Sequence, residues 1–290
     1  MSTRRAVALL VLAGAVAAGC GGGHHRHRTV APRPAAATCP AAGRTDLDGG
    51  ALQVPRGARP GRTPLVVVVV PGGGGDSGDR LGVTAAATRA GFAVLYPISN
   101  DGFWALNHRQ GDADVDAVRG LLDSAVAGGC FDEHRISITG VSNGAGFAAR
   151  LACELPGRFA AVVPVAAGYR ALDPCPAGAR ASFLAIHGTA DTVVPYNGKR
   201  PDRAGSVPRY TARWARRDGC DRRPRASTPR RLVTRFTYRG CDDGLRVELL
   251  RLTGTDHGWP GAGPPLPDHN PSGLNATREL MRFIASARRP

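Results

Sequence analysis

Apolar residues fall in short unbroken runs, separated by glycine, proline and polar residues, with amphipathic stretches between most of them. Leu65 to Val70 is continuous and β-branched, the pattern of a strand buried on both faces, and it stops at Pro71 and four glycines. Ala93 to Tyr96, Arg135 to Thr139, Ala160 to Val165, Phe183 to His187 and Leu245 to Leu252 read as further strands. Helices are predicted from about Arg80 to Arg89 and from Asp112 to Ala127, where Val115, Val118, Leu121, Leu122 and Val126 recur at helical spacing. A small-residue helix follows over Ala145 to Leu155, and others over Val207 to Asp218 and Leu274 to Ala287. Strands alternating with helices predict an α/β fold, a mainly parallel sheet covered on both faces. With no internal repeat and no clear boundary, residues 39–290 read as a single domain. For the Arg-rich stretch Pro201 to Arg239 a solvated face is the preferred reading, with an insertion at the rim as the alternative.

The first residues follow another pattern. Arg4 and Arg5 precede an apolar run from Ala6 to Ala18, which is signal-peptide length and too short to span a bilayer comfortably. Ala17-Ala18-Gly19-Cys20 resembles a bacterial lipobox, so residues 1–19 read as a lipoprotein-type signal peptide. Lipid on Cys20 would then anchor the chain at the outer face of the membrane. An ordinary secretory signal is the alternative. Residues 20–38 are Gly-, His-, Pro- and Ala-rich and read as a flexible tether. His24, His25 and His27 cluster there, but an unstructured tether cannot hold a closed coordination shell, so no metal is expected.

Cysteine usage agrees with export. Apart from Cys20 there are six, an even number with no C-x-x-C pair, which favours disulfides over zinc or thioredoxin-like chemistry. Pairing neighbours joins Cys220 to Cys241 and Cys153 to Cys175 and leaves Cys39 with Cys130, one of fifteen connectivities that six cysteines allow.

Composition narrows the class further. The chain has 290 residues, 42% of them hydrophobic and 21% charged, enough apolar surface for a core and against wholesale disorder. The net charge is +15, carried almost entirely by arginine; no nucleic-acid-binding motif accompanies it, and no nucleic-acid partner is expected.

The chemistry gathers at one predicted turn. Gly140-Val141-Ser142-Asn143-Gly144 fits G-x-S-x-G and lies between a predicted strand and a predicted helix. A nucleophile displayed on so sharp a turn needs small neighbours. Serine also needs a base, and on this fold the partners follow in the order Ser, acid, His. His187, His257 and His269 come after Ser142; His257, in a loop just past the last strand, is the preferred base, with His269 in reserve. Asp191 is the preferred acid, because Asp256 is adjacent to His257 and poorly placed to reach its ring. The oxyanion would be held by the Asn143 N–H and by the glycine loop after the valine strand, Gly72 and Gly73. That loop lacks the Gly-Lys-Ser/Thr of a phosphate-binding loop and carries Asp76, which disfavours a nucleotide. Trp104, Trp214 and Trp259 offer ring-stacking surfaces for a substrate, with core packing the competing reading, above all for Trp214.

Gly140 to Gly144, Leu151-Ala152-Cys153-Glu154, His187-Gly188-Thr189-Ala190-Asp191 with Val194-Pro195-Tyr196, and His257-Gly258-Trp259-Pro260-Gly261 together resemble secreted polyhydroxybutyrate depolymerases and feruloyl esterases. The resemblance runs from about Pro64 to the C-terminus. It implies an α/β-hydrolase fold, a Ser142, Asp191, His257 triad, ester hydrolysis without a cofactor, Trp259 beside the substrate and a Cys220–Cys241 disulfide. The chain departs from the family in having Pro71 where a His usually precedes the oxyanion glycines, and Thr255 and Asp256 where glycines usually precede the catalytic His. Three other functions share parts of this pattern: an acyltransferase on a cell-envelope acceptor, a peptidase, and a non-catalytic envelope-binding lipoprotein.

Overall fold

In the computed structural model of the chain, residues 37–71, 80–169, 172, 174–198, 205–263 and 269–289 are described. The signal-peptide and Cys20 readings, the tether up to residue 36, and Gly72 and Gly73 lie outside them. Ala37–Pro290 form one compact unit.

The valine run is strand β3 (Thr63–Val69), and every one of its residues is buried. Its side chains alternate between two cores: Leu65, Val67 and Val69 point into one, Val66 and Val68 into the other. Around β3 lie β4 (Ala93–Pro97), β5 (Phe131–Val141), β6 (Ala161–Val165), β7 (Ser182–Gly188) and β10 (Val247–Leu252). These pair in parallel in the order β4-β3-β5-β6-β7-β10. Helices α2 (Ala113–Ala127), α3 (Ser142–Glu154) and α4 (Val207–Arg217) supply the core on one face, and α1 (Val83–Arg89) and α5 (Ala276–Ile284) that on the other. This is the expected α/β-hydrolase architecture. The chain runs from β3 outward to β4 and then returns to the other side of β3 as β5. Loops leaving β3 and β5 therefore diverge at a switch point, where open α/β sheets gather their sites.

Two antiparallel hairpins extend the sheet beyond the parallel strands: β1 (Gly43–Leu47) with β2 (Gly50–Val54) against β4, and β8 (Arg225–Arg230) with β9 (Val233–Tyr238) against β10. The second rules against the alternative of a rim insertion. Over residues 205–239 the Arg-rich stretch is helix α4 packed on the sheet, followed by the edge hairpin, in which β8 is exposed throughout.

Three disulfides join Cys39 to Cys130, Cys153 to Cys175 and Cys220 to Cys241, the neighbour pairing among the fifteen. The first ties the segment before β1 to the residue before β5, the second ties α3 to the loop after β6, and the third ties the end of α4 to the end of β9. Among the described residues no helix is long and apolar enough to cross a membrane.

Candidate active site

Strand β5 ends at Val141 and α3 begins at Ser142, with no intervening loop. That junction forces Ser142 to φ 55°, a left-handed angle that non-glycine residues seldom adopt. Space for the turn comes from its glycines. A Cβ on Gly140 would lie 2.5 Å from the Val69 carbonyl oxygen, and one on Gly144 would lie 2.3 Å from the same atom. Both positions must stay bare for α3 to start against β3.

Ser142 Oγ lies 2.9 Å from His257 Nε2, and His257 Nδ1 lies 2.8 Å from Asp191 Oδ2. These side chains come from three strand ends: β5, the loop after β7 and the loop after β10. An ionised carboxylate only accepts, so Nδ1 donates to it, and the Nε2 lone pair is left to accept the Ser142 hydroxyl. Asp191 is buried. Burial opposes its ionisation, but the bonds from His187, His257 and the Val194 N–H outweigh it and hold the carboxyl well below the usual carboxylate range. Asp191 Oδ1 also takes the N–H groups of Val193 and Val194, at 3.0 and 2.7 Å, so the acid closes its own turn. Asp256 does not reach the imidazole; its Oδ1 accepts the backbone N–H of His257 at 2.7 Å. His269 meets this loop through its carbonyl, which accepts the Asp256 N–H.

Asn143 follows Ser142 in the first turn of α3, where backbone N–H groups have no intrahelical partner and the helix dipole favours negative charge. Its side chain has a role that the sequence did not reveal. Oδ1 accepts the Trp104 N–H at 2.8 Å and Nδ2 donates to the Trp104 carbonyl at 3.0 Å, clamping the loop after β4 to the turn.

The stacking surfaces need correction. Trp104 is 2% exposed, stacked on Phe147, with Nε1–H bonded to the Val70 carbonyl. Trp259 is 3% exposed and donates to Thr277 Oγ1. Trp214 is likewise buried, donating to the Ala181 carbonyl. None turns a face to solvent. Three other large apolar side chains are exposed among the described residues: Ile98, Phe103 and Val193. Ile98 and Phe103 lie in the loop after β4 and Val193 in the loop after β7, on the same edge as Ser142. Phe103, at 72% exposed, immediately precedes the residue held by Asn143.

His108, Asp112 and Glu154 also come close enough together to suggest a metal. The buried Arg150 guanidinium already bonds both carboxylates, so the cluster has its cation.

The fold is that of an α/β-hydrolase, and the known proteins to which the chain is similar include esterases. Residues 49–171 match the family described as esterase PHB depolymerase. NocK of Nocardia uniformis subsp. tsuyamanensis, named as an esterase, is 28% identical over 260 residues, covering 78% of this chain and 73% of NocK. Among solved structures, an acetyl xylan esterase from Aspergillus awamori has a TM-score of 0.59 at 17% identity, covering 84% of this chain and 99% of that one. A dienelactone hydrolase-like promiscuous phosphotriesterase, P91, from metagenomic libraries has a TM-score of 0.58 at 16% identity, covering 86% and 98%. At such identities the structural likenesses bear on the fold alone. Over residues 49–171 the chain is thus similar to polyhydroxybutyrate depolymerase-type esterases, and over most of its length to an esterase relative.

Proposed function

We propose that the protein is an exported serine carboxylic-ester hydrolase acting through an acyl-enzyme, with Ser142 as nucleophile, His257 as base and Asp191 as its orienting acid. The observation that carries this reading is the unbroken relay of hydrogen bonds from Ser142 through His257 to Asp191. His257 Nε2 takes the Ser142 proton as Oγ bonds to the ester carbonyl carbon. The oxyanion that forms accepts the Asn143 N–H, with the Gly72–Gly73 loop as the expected second donor. When the carbonyl re-forms, the carbon–alkoxide bond breaks and His257 Nε2–H protonates the leaving alcohol. Water then attacks the acyl-enzyme, His257 takes its proton, and the acid is released with Ser142 restored. Asp191 stays ionised throughout and stabilises the imidazolium.

The substrates in view are feruloyl and hydroxybutyrate esters, soluble or in the cell envelope. Phe103 and Val193 support them by offering apolar surface at the rim, in place of the tryptophans. Three disulfides support an oxidising compartment, and with the N-terminal pattern they support export and a lipid anchor on Cys20.

Hydrolysis of p-nitrophenyl acetate and butyrate tests the core of the reading. Ser142→Ala should lose roughly three orders of magnitude or more of turnover. A wild-type rate in that variant would end it.

A further inference from the structure

Asp191 carries two imidazoles. His187, one residue from the end of β7, is buried, and its Nε2 lies 3.1 Å from Asp191 Oδ2, the oxygen that also meets His257 Nδ1. The same Nε2 lies 2.8 Å from the Val194 carbonyl oxygen. Both neighbours accept only, so Nε2 carries the proton and divides it between them. One buried carboxylate thus receives the two ring N–H groups on Oδ2 and the Val193 and Val194 N–H groups on Oδ1.

The strands place His187 there with little freedom. It pairs with Arg251 of β10, and Gly188 pairs with Leu252. A Cβ on Gly188 would lie 2.1 Å from the Thr255 carbonyl oxygen, so the loop bearing His257 rests directly on the backbone that follows His187. The Tyr196 ring meets the His187 ring edge-on at 6.1 Å. The titratable and charged groups around this pair are Asp191, His257 and Tyr196, with Arg251 acting on Tyr196 and Asp256 bonded to the His257 backbone.

We propose that His187 is a positioning residue for the Asp191–His257 pair. Its Nε2–H closes the 191–194 turn through the Val194 carbonyl and holds Oδ2 where His257 Nδ1 meets it. By sharing that oxygen, it also limits how strongly Asp191 draws on the His257 proton. The inference rests on the triad reading above but can fail without it.

The sign of the effect follows from the shared acceptor. Without the His187 donor, Asp191 Oδ2 becomes more basic and stabilises the His257 imidazolium more strongly, so more alkaline solution is needed to free the base. In His187→Ala, kcat should fall about tenfold or more with KM nearly unchanged. The acid limb of its kcat profile should move to higher pH. In His187→Gln, whose amide nitrogen can donate from about the same place, the limb should return toward the wild-type position. An acid limb that stays in place in His187→Ala, whatever its kcat, overturns the proposal, because a purely structural role predicts that result. If His187→Ala does not fold, nitrogen-15 histidine spectra of the wild-type protein decide: a neutral His187 protonated at Nε2 supports the proposal, and one protonated at Nδ1 overturns it. Failure of the triad reading is separately visible as full activity in Ser142→Ala.

Discussion

Ser142 is held at a left-handed backbone angle, and the glycines on either side explain how the chain tolerates it. Gly144→Ala would push a methyl group to 2.3 Å from a backbone carbonyl in the central strand, which cannot yield without moving β3. That variant should lower Tm by several degrees or more and abolish esterase activity, as thermal melts and p-nitrophenyl ester assays would show. A melt and activity like wild type would mean that the turn has room it should not have. Asp191→Asn is a different perturbation, nearly isosteric but able to offer His257 a donor where an acceptor is needed. Turnover should fall by roughly three to four orders of magnitude with the fold intact. Here the sequence was informative in a particular way. That Ser142, Asp191 and His257 come together could be anticipated because each lies in a short motif at a strand end. The buried tryptophans and the Asn143 clamp could not be read, because they depend on contacts such as Asn143 with Trp104, 39 positions apart.

At the next scale, α4 ends on a group with no part in the proposed chemistry. Asp218 is buried at the helix C-terminus, where the dipole disfavours a negative charge. Burial pushes its carboxyl up to about 7, against the pull of Arg217 and Arg180. A carboxyl raised in the folded state binds more protons there than in the unfolded chain between about pH 4 and 7. Stability should therefore fall as pH rises through that window. Asp218→Asn should raise Tm by about 3–6 °C at pH 8 and change it little at pH 5; an equal effect at both values would contradict the assignment. Elements differed in how readily the sequence gave them away. The parallel strands were plain because burial on both faces makes them continuous apolar runs. Both edge hairpins escaped: Gly43–Leu47 is mostly polar, and Arg225–Arg230 has every residue exposed and no alternation to read.

At the scale of the molecule, the sheet brings together loops from β4, β5, β7 and β10 at one edge, and the disulfides brace the parts that carry them. Cys39–Cys130 spans 91 residues of sequence, the longest closure of the three. Replacing both cysteines with serine should cost about 3–5 kcal/mol and lower Tm by roughly 10 °C, with little effect on KM. An unchanged melt would show that the hairpin β1–β2 holds without it. Asp191 adds an acid limit of its own. Because its carboxyl is depressed in the folded state, its contribution is full above about pH 4 and is lost as pH falls below that.

The central claim is that Ser142 becomes acylated by an ester and is deacylated by water. Rapid acid quenching during p-nitrophenyl butyrate turnover, followed by peptide mass spectrometry, tests it directly. One butyryl group per molecule is expected, on the peptide containing Ser142, absent when His257 is replaced by alanine. Sustained hydrolysis with no acyl group on Ser142, or with the label on another residue, would contradict it.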